Sequence, residues 1–169
     1  MAADGPRSGC AINAAVEALG DPWSLIVLRD MIFGNRRSFR ELLTRSDEGI
    51  ASNILSSRLR SLVDAGLLTK AETVRGQRGS YSLTEAGIET LPVMVALGTW
   101  GLAHRDGTPE LRVRAELLRD GVPGRSGPEL VTDLMDELRE THLGVPRPDP
   151  DAPRASELLV QAYRDAVNG

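Results

Sequence analysis

With 169 residues, 41% of them hydrophobic and 26% charged, the chain has the composition of a folded globular protein with room for one domain and an extension. Its longest apolar runs, such as WSLIVL and LLV, fall short of the roughly 18 residues of a membrane span, and MAADGPRSGCAIN has no signal-peptide core, so a cytoplasmic protein without a membrane partner is expected. A single cysteine, Cys10, excludes an intrachain disulfide, and the distant His104 and His142 offer no local metal-ligand cluster, so no metal or other cofactor is expected.

In chain order, AINAAVEALG comes first, with Ile12, Val16 and Leu19 at helical spacing and Gly20 as terminator. DPWSLIVLRDMIFG predicts a second helix: Asp21 is placed to cap it, Pro22 sits at a tolerated first position and Gly34 closes it. Apolar residues nearly encircle this helix, which makes it central. Ser38 precedes a short helix, FRELLTR, and SDEGI supplies a turn. The helix after the turn, within ASNILSSRLRSLVDAGLLTK, gathers Ala51, Leu55, Leu59, Leu62 and Gly66 on one side. Asn53, Ser57, Arg60 and Asp64 lie opposite, with Ser56 beside them. LLTKAETV and SYSLT read as strands of a hairpin around the glycine-bounded tip RGQRG. Thr84 is placed to cap a long last helix, TEAGIETLPVMVALGTWGLAH, which Pro92 should bend or weaken.

This order of elements is that of a winged helix-turn-helix. The expected fold class is mainly α with a small β-hairpin, a winged helix-turn-helix domain plus a C-terminal helical extension. In such a fold a short helix braces the next one, which is offered to the major groove of DNA. Net charge is −4, but residues 1–104 are balanced and residues 105–169 carry the whole excess. Between Arg29 and Arg78, 10 basic residues face 6 acidic ones, a modest positive footprint that a two-fold dimer would double.

Several spaced motifs then coincide in one order: Cys10, WSLIVLRD from Trp23, GNRRSFRELL from Gly34, IASNILSSRLRSLVDAGLL from Ile50, YSLTEAG from Tyr81, LPV from Leu91, and the pair Trp100 and Gly101. Together they resemble the HxlR-type transcriptional regulators, a bacterial winged-helix group related in fold to MarR-like proteins. The resemblance implies a cytoplasmic homodimer whose terminal helices form the interface and whose two reading helices meet a pseudo-palindromic operator. With the shift in composition beyond His104, the chain is expected to divide into residues 1–104, a DNA-binding and dimerisation domain, and residues 105–169, an acidic helical extension.

The candidate DNA-binding residues follow. Ser52, Asn53, Ser56, Ser57 and Arg60 sit on or beside the polar front, where Asn suits adenine, Arg suits guanine and serine suits base or phosphate. Arg58 flanks that front, either bonding within the domain or touching phosphate. Arg36, Arg37 and Arg40 are expected at phosphates near the bracing helix. Arg75 and Arg78 at the hairpin tip suit a minor groove or simply keep the hairpin soluble. Cys10 is a packing residue or, as some members of the resembled family imply, a redox sensor acting through an adduct or an intermolecular disulfide.

Beyond His104, RDGTPELRVRAELLRDGVPG predicts one or two short elements. SGPELVTDLMDELRETHLG predicts an amphipathic helix, VPRPDPDAPR a proline-rich connector and ASELLVQAYRDAVNG a last helix. No nucleophile elbow, phosphate loop or Cys–His constellation is present, so an enzyme is not expected. The expected function is a sequence-specific dimeric regulator binding double-stranded DNA, a repressor with a small-molecule or oxidant effector. The alternative is a dimeric winged-helix interaction module that does not bind DNA.

Overall fold

In the computed structural model, which describes residues 7–71 and 79–168, helix α1 (Ala11–Leu19) starts after Cys10 and stops at Gly20, as its spacing predicts. Helix α2 (Pro22–Gly34) is capped by Asp21, whose Oδ1 accepts the Ser24 N–H at 2.9 Å. It ends one residue later than the glycine suggests, because Asn35 adopts the left-handed conformation at φ 45°. Helix α3 (Phe39–Thr44) starts in a reciprocal capping box between Ser38 and Glu41, so a six-residue helix holds despite its length. Helix α4 (Ser52–Asp64) follows, and Gly66 at φ 73° turns the chain out of it.

Strands β1 (Leu68–Lys70) and β2 (Tyr81–Leu83) pair antiparallel in the register Leu68↔Leu83, Thr69↔Ser82 and Lys70↔Tyr81. A bridge from Ser38 to Ser80 and a 2.7 Å bond from the Tyr81 N–H to the Arg37 carbonyl tie the segment before α3 to the same sheet. Packing divides the chain into two compact units, Met1–Thr84 and Glu85–Gly169. Within the first, α2 and α3 pack on α4, and α4 packs on β1. Leu28, Met31, Leu42, Leu55, Leu59, Leu62, Leu68 and Leu83 are fully buried there, and burying each such side chain contributes about 1.5–3 kcal/mol.

The second unit begins with α5 (Glu85–Ile88) and α6 (Thr90–His104), which replace the single long helix expected. They are separated at Glu89, and Pro92 accounts for the break: it has no N–H to donate to the Ile88 carbonyl, which a continuous helix would require. Glu85–His104 is also long and apolar enough to cross a membrane by length and composition, although no single run within it is. Helix α7 (Pro109–Asp120) leads through the two-residue strands β3 (Gly121–Val122) and β4 (Arg125–Ser126) into α8 (Gly127–Leu143). That tight hairpin requires glycine: a Cβ at Gly121 would lie 2.2 Å from the Arg125 carbonyl oxygen, and one at Gly127 would lie 2.2 Å from that of Arg119.

Helix α9 (Ala155–Asn168) packs on α7 and α8, and α6 packs on α7. The proline-rich connector before α9 is held by Arg147, which donates to the carbonyls of Pro150 at 2.7 Å and Ala152 at 3.1 Å. Buried Glu137 receives both the backbone N–H and the hydroxyl of Ser156, fixing the first turn of α9. By packing, α6 belongs with the extension, so this boundary falls earlier in the chain than the compositional shift after His104.

Candidate nucleic-acid interface

The amphipathic spacing of α4 dictates what it shows. Leu55, Leu59 and Leu62 are buried, and on the other side Ser52, Asn53, Ser56 and Arg60 are exposed, with Asn53, Ser56 and Arg60 on one line at i, i+3 and i+7. Arg60 folds along its own helix, its Nε donating to the Ser56 carbonyl at 3.4 Å, which leaves the guanidinium outward. Ala51 provides no side-chain cap, so the first N–H groups of α4 are open to a phosphate oxygen. Ser57 is half-buried beside this line.

The neighbouring arginines divide into internal supports and exposed cations. Arg58 turns away from the polar front: its Nη1 donates to Asp21 Oδ2 at 3.2 Å and its Nη2 to Ser57 Oγ at 3.3 Å, linking α4 to the cap of α2. Arg36, expected at a phosphate, pairs instead with the buried Asp30 at 2.8 Å. Arg37, with the same expectation, bonds the Tyr81 carbonyl at 3.1 Å and the Ser82 hydroxyl, fastening the α2–α3 link to β2. For Arg36 the physical reason is burial: its guanidinium satisfies the Asp30 carboxylate where water cannot, whereas the Asp21 carboxylate that takes Arg58 is partly exposed.

Asp30 also accepts from Arg29, whose guanidinium reaches Glu48 in the α3–α4 turn through bonds of 2.5 and 2.7 Å. Hydrogen bonding to Arg29 holds the Glu48 carboxyl below its ordinary value of 4.5. The Arg29–Glu48 pair thus ties the α3–α4 turn to α2. Nothing in the local pattern of SDEGI announces this contact, which joins residues 19 positions apart.

Arg40 is exposed on α3, and Arg45 is exposed just after its last turn. Ser38, Arg40, Glu41, Thr44 and Arg45 line a shallow concavity on the outer side of α3. Arg45, two-thirds exposed and 3.7 Å from Glu41, was not among the sequence candidates. Its position five residues after Arg40, at the end of the bracing helix, was the available signal. Arg75 and Arg78 lie outside the described residues. Cys10 is exposed with a free thiol at the start of α1, distant in sequence from the α3–α4 segment.

The model of the HxlR-like helix-turn-helix family matches residues 18–108, which runs from the end of α1 through α6 and leaves α7 onward outside. An uncharacterised HTH-type transcriptional regulator of Mycobacterium tuberculosis strain H37Rv is 38% identical over 105 residues, covering 60% of this chain and 65% of that protein. Another, from Synechocystis, is 33% identical over 93 residues, covering 54% and 67%. The crystal structure of PA1607, described as a candidate transcription factor, aligns with a TM-score of 0.54 at 30% identity, covering 61% of this chain and 70% of that one. The chain thus spans just under two thirds of the length of its mycobacterial relative. With the family match covering more than half of the chain, and with the helix order and buried pattern of the fold in place, the chain belongs to the HxlR-like helix-turn-helix family.

Proposed function

We propose that this protein is a dimeric, sequence-specific DNA-binding transcriptional regulator and acts as a repressor. The observation that carries the reading is the exposed line Asn53, Ser56 and Arg60 on a helix braced by α2, α3 and β1. Short polar side chains let such a helix approach the groove floor, and Asn53 and Arg60 supply the bidentate chemistry that discriminates adenine and guanine. Ser52 and the open first turn of α4, with Ser57 alongside, hold phosphate; Arg40 and Arg45 do the same from α3. Arg36, Arg37 and Arg58 act as supports, orienting the reading helix from inside the unit. Arg75 and Arg78 complete the wing contact. Proteins of this family are regulators and not enzymes, and the reading invokes no catalytic group.

Dimerisation is supported by two apolar helix faces. Ile12 and Val16 of α1 are 75% and 54% exposed, and Val93, Leu97 and Trp100 of α6 recur at i, i+4 and i+7 with Trp100 53% exposed. A second copy covering these faces gives the Glu85–His104 stretch a protein environment and sets two reading helices roughly 34–36 Å apart on a pseudo-palindrome. The functional division then runs through residue 104, with the acidic residues 105–169 held off the DNA. Cys10, exposed at the head of α1, is the candidate oxidant input. Peroxide treatment should change operator affinity in the wild type and not in Cys10→Ser.

The test is a salt-titrated mobility shift on DNA upstream of the protein's own gene and its neighbours, with wild type and Arg60→Ala side by side. A specific, salt-sensitive complex weakened by the substitution supports the reading. No specific complex at low salt on any such fragment overturns it in favour of a winged-helix interaction module.

A further inference from the structure

Helix α9 has one face turned to its own unit and one turned away. Ala155, Leu158, Leu159, Ala162 and Tyr163 are buried or half-buried, and Arg114 stacks 4.9 Å from the Tyr163 ring. Opposite them, Glu157, Val160, Gln161 and Arg164 are exposed and, with Ser156, line a shallow groove of about 360 Å³. Among the described residues, the side chains of Glu157 and Arg164 make no ion pair or hydrogen bond, Glu157 acting only through space on Arg154, while Gln161 Nε2 donates to Asp165 Oδ1 at 2.8 Å. The other eight arginines of this unit each engage a carboxylate, a carbonyl or an aromatic ring.

The outer face of α9 is self-complementary. At 100° per residue, Glu157 and Arg164 lie on one line along its centre, seven residues and about 10.5 Å apart, with Val160 and Gln161 flanking that line on either side. A two-fold axis passing between Val160 and Gln161 brings Glu157 against Arg164 of a second copy, and Arg164 against Glu157 of that copy. Val160 then meets its counterpart on one flank and Gln161 meets its own on the other. This is the pattern an isologous contact requires, each patch being the complement of itself.

We propose that α9 is a homotypic pairing surface through which two copies of this chain associate by antiparallel α9 helices. A helix of 14 residues is about 21 Å long and buries less than the roughly 1,200 Å² of a standard interface, so the association is weak and concentration-dependent by itself. It becomes effective when copies are already held close, as on neighbouring DNA sites, where a tether raises the effective concentration. That use rests on the DNA-binding reading; the pairing does not.

Sedimentation velocity of the full chain over a wide concentration range tests it, because charge reversal makes an unambiguous pattern. Glu157→Arg alone and Arg164→Glu alone each place like charges together twice, and should weaken one association step by about tenfold or more. The double reversal restores opposite charges and should recover wild-type association. The step is monomer to dimer, or dimer to tetramer if the α1 and α6 faces are also paired, and the pattern is the same in both cases. Circular dichroism of each variant checks that the helices persist. Independently, Val160→Cys in a Cys10→Ser background should form a covalent dimer on oxidation, while Arg164→Cys in that background should not, its counterpart lying about 10.5 Å farther along the helix pair. Single reversals that associate like wild type, a double reversal no better than the singles, or failure of Val160→Cys to cross-link would each overturn the proposal.

Discussion

The two compact units treat their arginines differently. In Met1–Thr84, basic residues outnumber acidic ones by 11 to 9, and in Glu85–Gly169 they are outnumbered by 9 to 15. The overall charge of −4 therefore hides a unit at +2 and a unit at −6. In the first unit Arg29, Arg36, Arg37 and Arg58 bond groups around α2, α4 and β2, and Arg7 pairs with Glu17. The same unit leaves Arg40, Arg45 and Arg60 outward on the helices of the reading motif. The second unit ties five of its nine arginines, Arg119, Arg125, Arg139, Arg147 and Arg154, to its own carboxylates, as in the bidentate grip of Arg139 on Glu85 at 2.6 and 2.9 Å. Counting basic residues says little about a nucleic-acid surface until the neutralised ones are removed.

The sharpest way to break this contrast is to loosen the helix that presents Arg60. Leu59 is buried under α4, and Leu59→Ala should cost about 2–5 kcal/mol of stability in denaturant unfolding and abolish operator binding with it. Leu130→Ala, equally buried in α8, should destabilise comparably while leaving the polar line of α4 chemically intact. Next in size, Arg60→Ala should cost about 1–3 kcal/mol in operator affinity and relax preference at one base position, read by mobility shift on single-base operator variants. Arg45→Ala should weaken binding evenly across sequences and lower the salt slope by about 1 in titrations, whereas Arg119→Ala, whose guanidinium is held by Asp120, should leave the slope unchanged.

The smallest effect expected concerns the pinned turn. Because Arg29 lowers the Glu48 carboxyl, the pair's stabilisation is complete above 4.5, the ordinary glutamate value, and is lost as pH falls through the lowered value. Glu48→Gln should therefore reduce stability at neutral pH by less than about 1 kcal/mol, the pair being partly exposed. The difference from wild type should vanish in acid melts, and a constant difference at all pH values would show that the ion pair is not its source.

Much of the first unit was legible because its signals are local. Asp21 before Pro22, the Ser38 cap, the leucine spacing of α4 and the glycine after it each act within a turn or two of chain. The weakening expected at Pro92 follows a local rule as well: the ring has no N–H for the Ile88 carbonyl four residues earlier, and the helix parts at Glu89. The small hairpin between α7 and α8 was missed because its strands are two residues long, too short for any alternation to register.

The sequence by itself determined the order of helices, the polar front of α4 and the acidity of the extension, because periodicity, caps and composition are properties of neighbouring residues. Tertiary structure decided which arginines remain available. Arg36 and Arg40 look alike in the sequence, yet Asp30 takes the first and Asp21 takes Arg58, while Arg40 forms no ion pair among the described residues. A guanidinium goes to whichever carboxylate the fold carries to it, and that partner lies 6 residues away for Arg36 and 37 for Arg58, a separation no helical or strand period encodes.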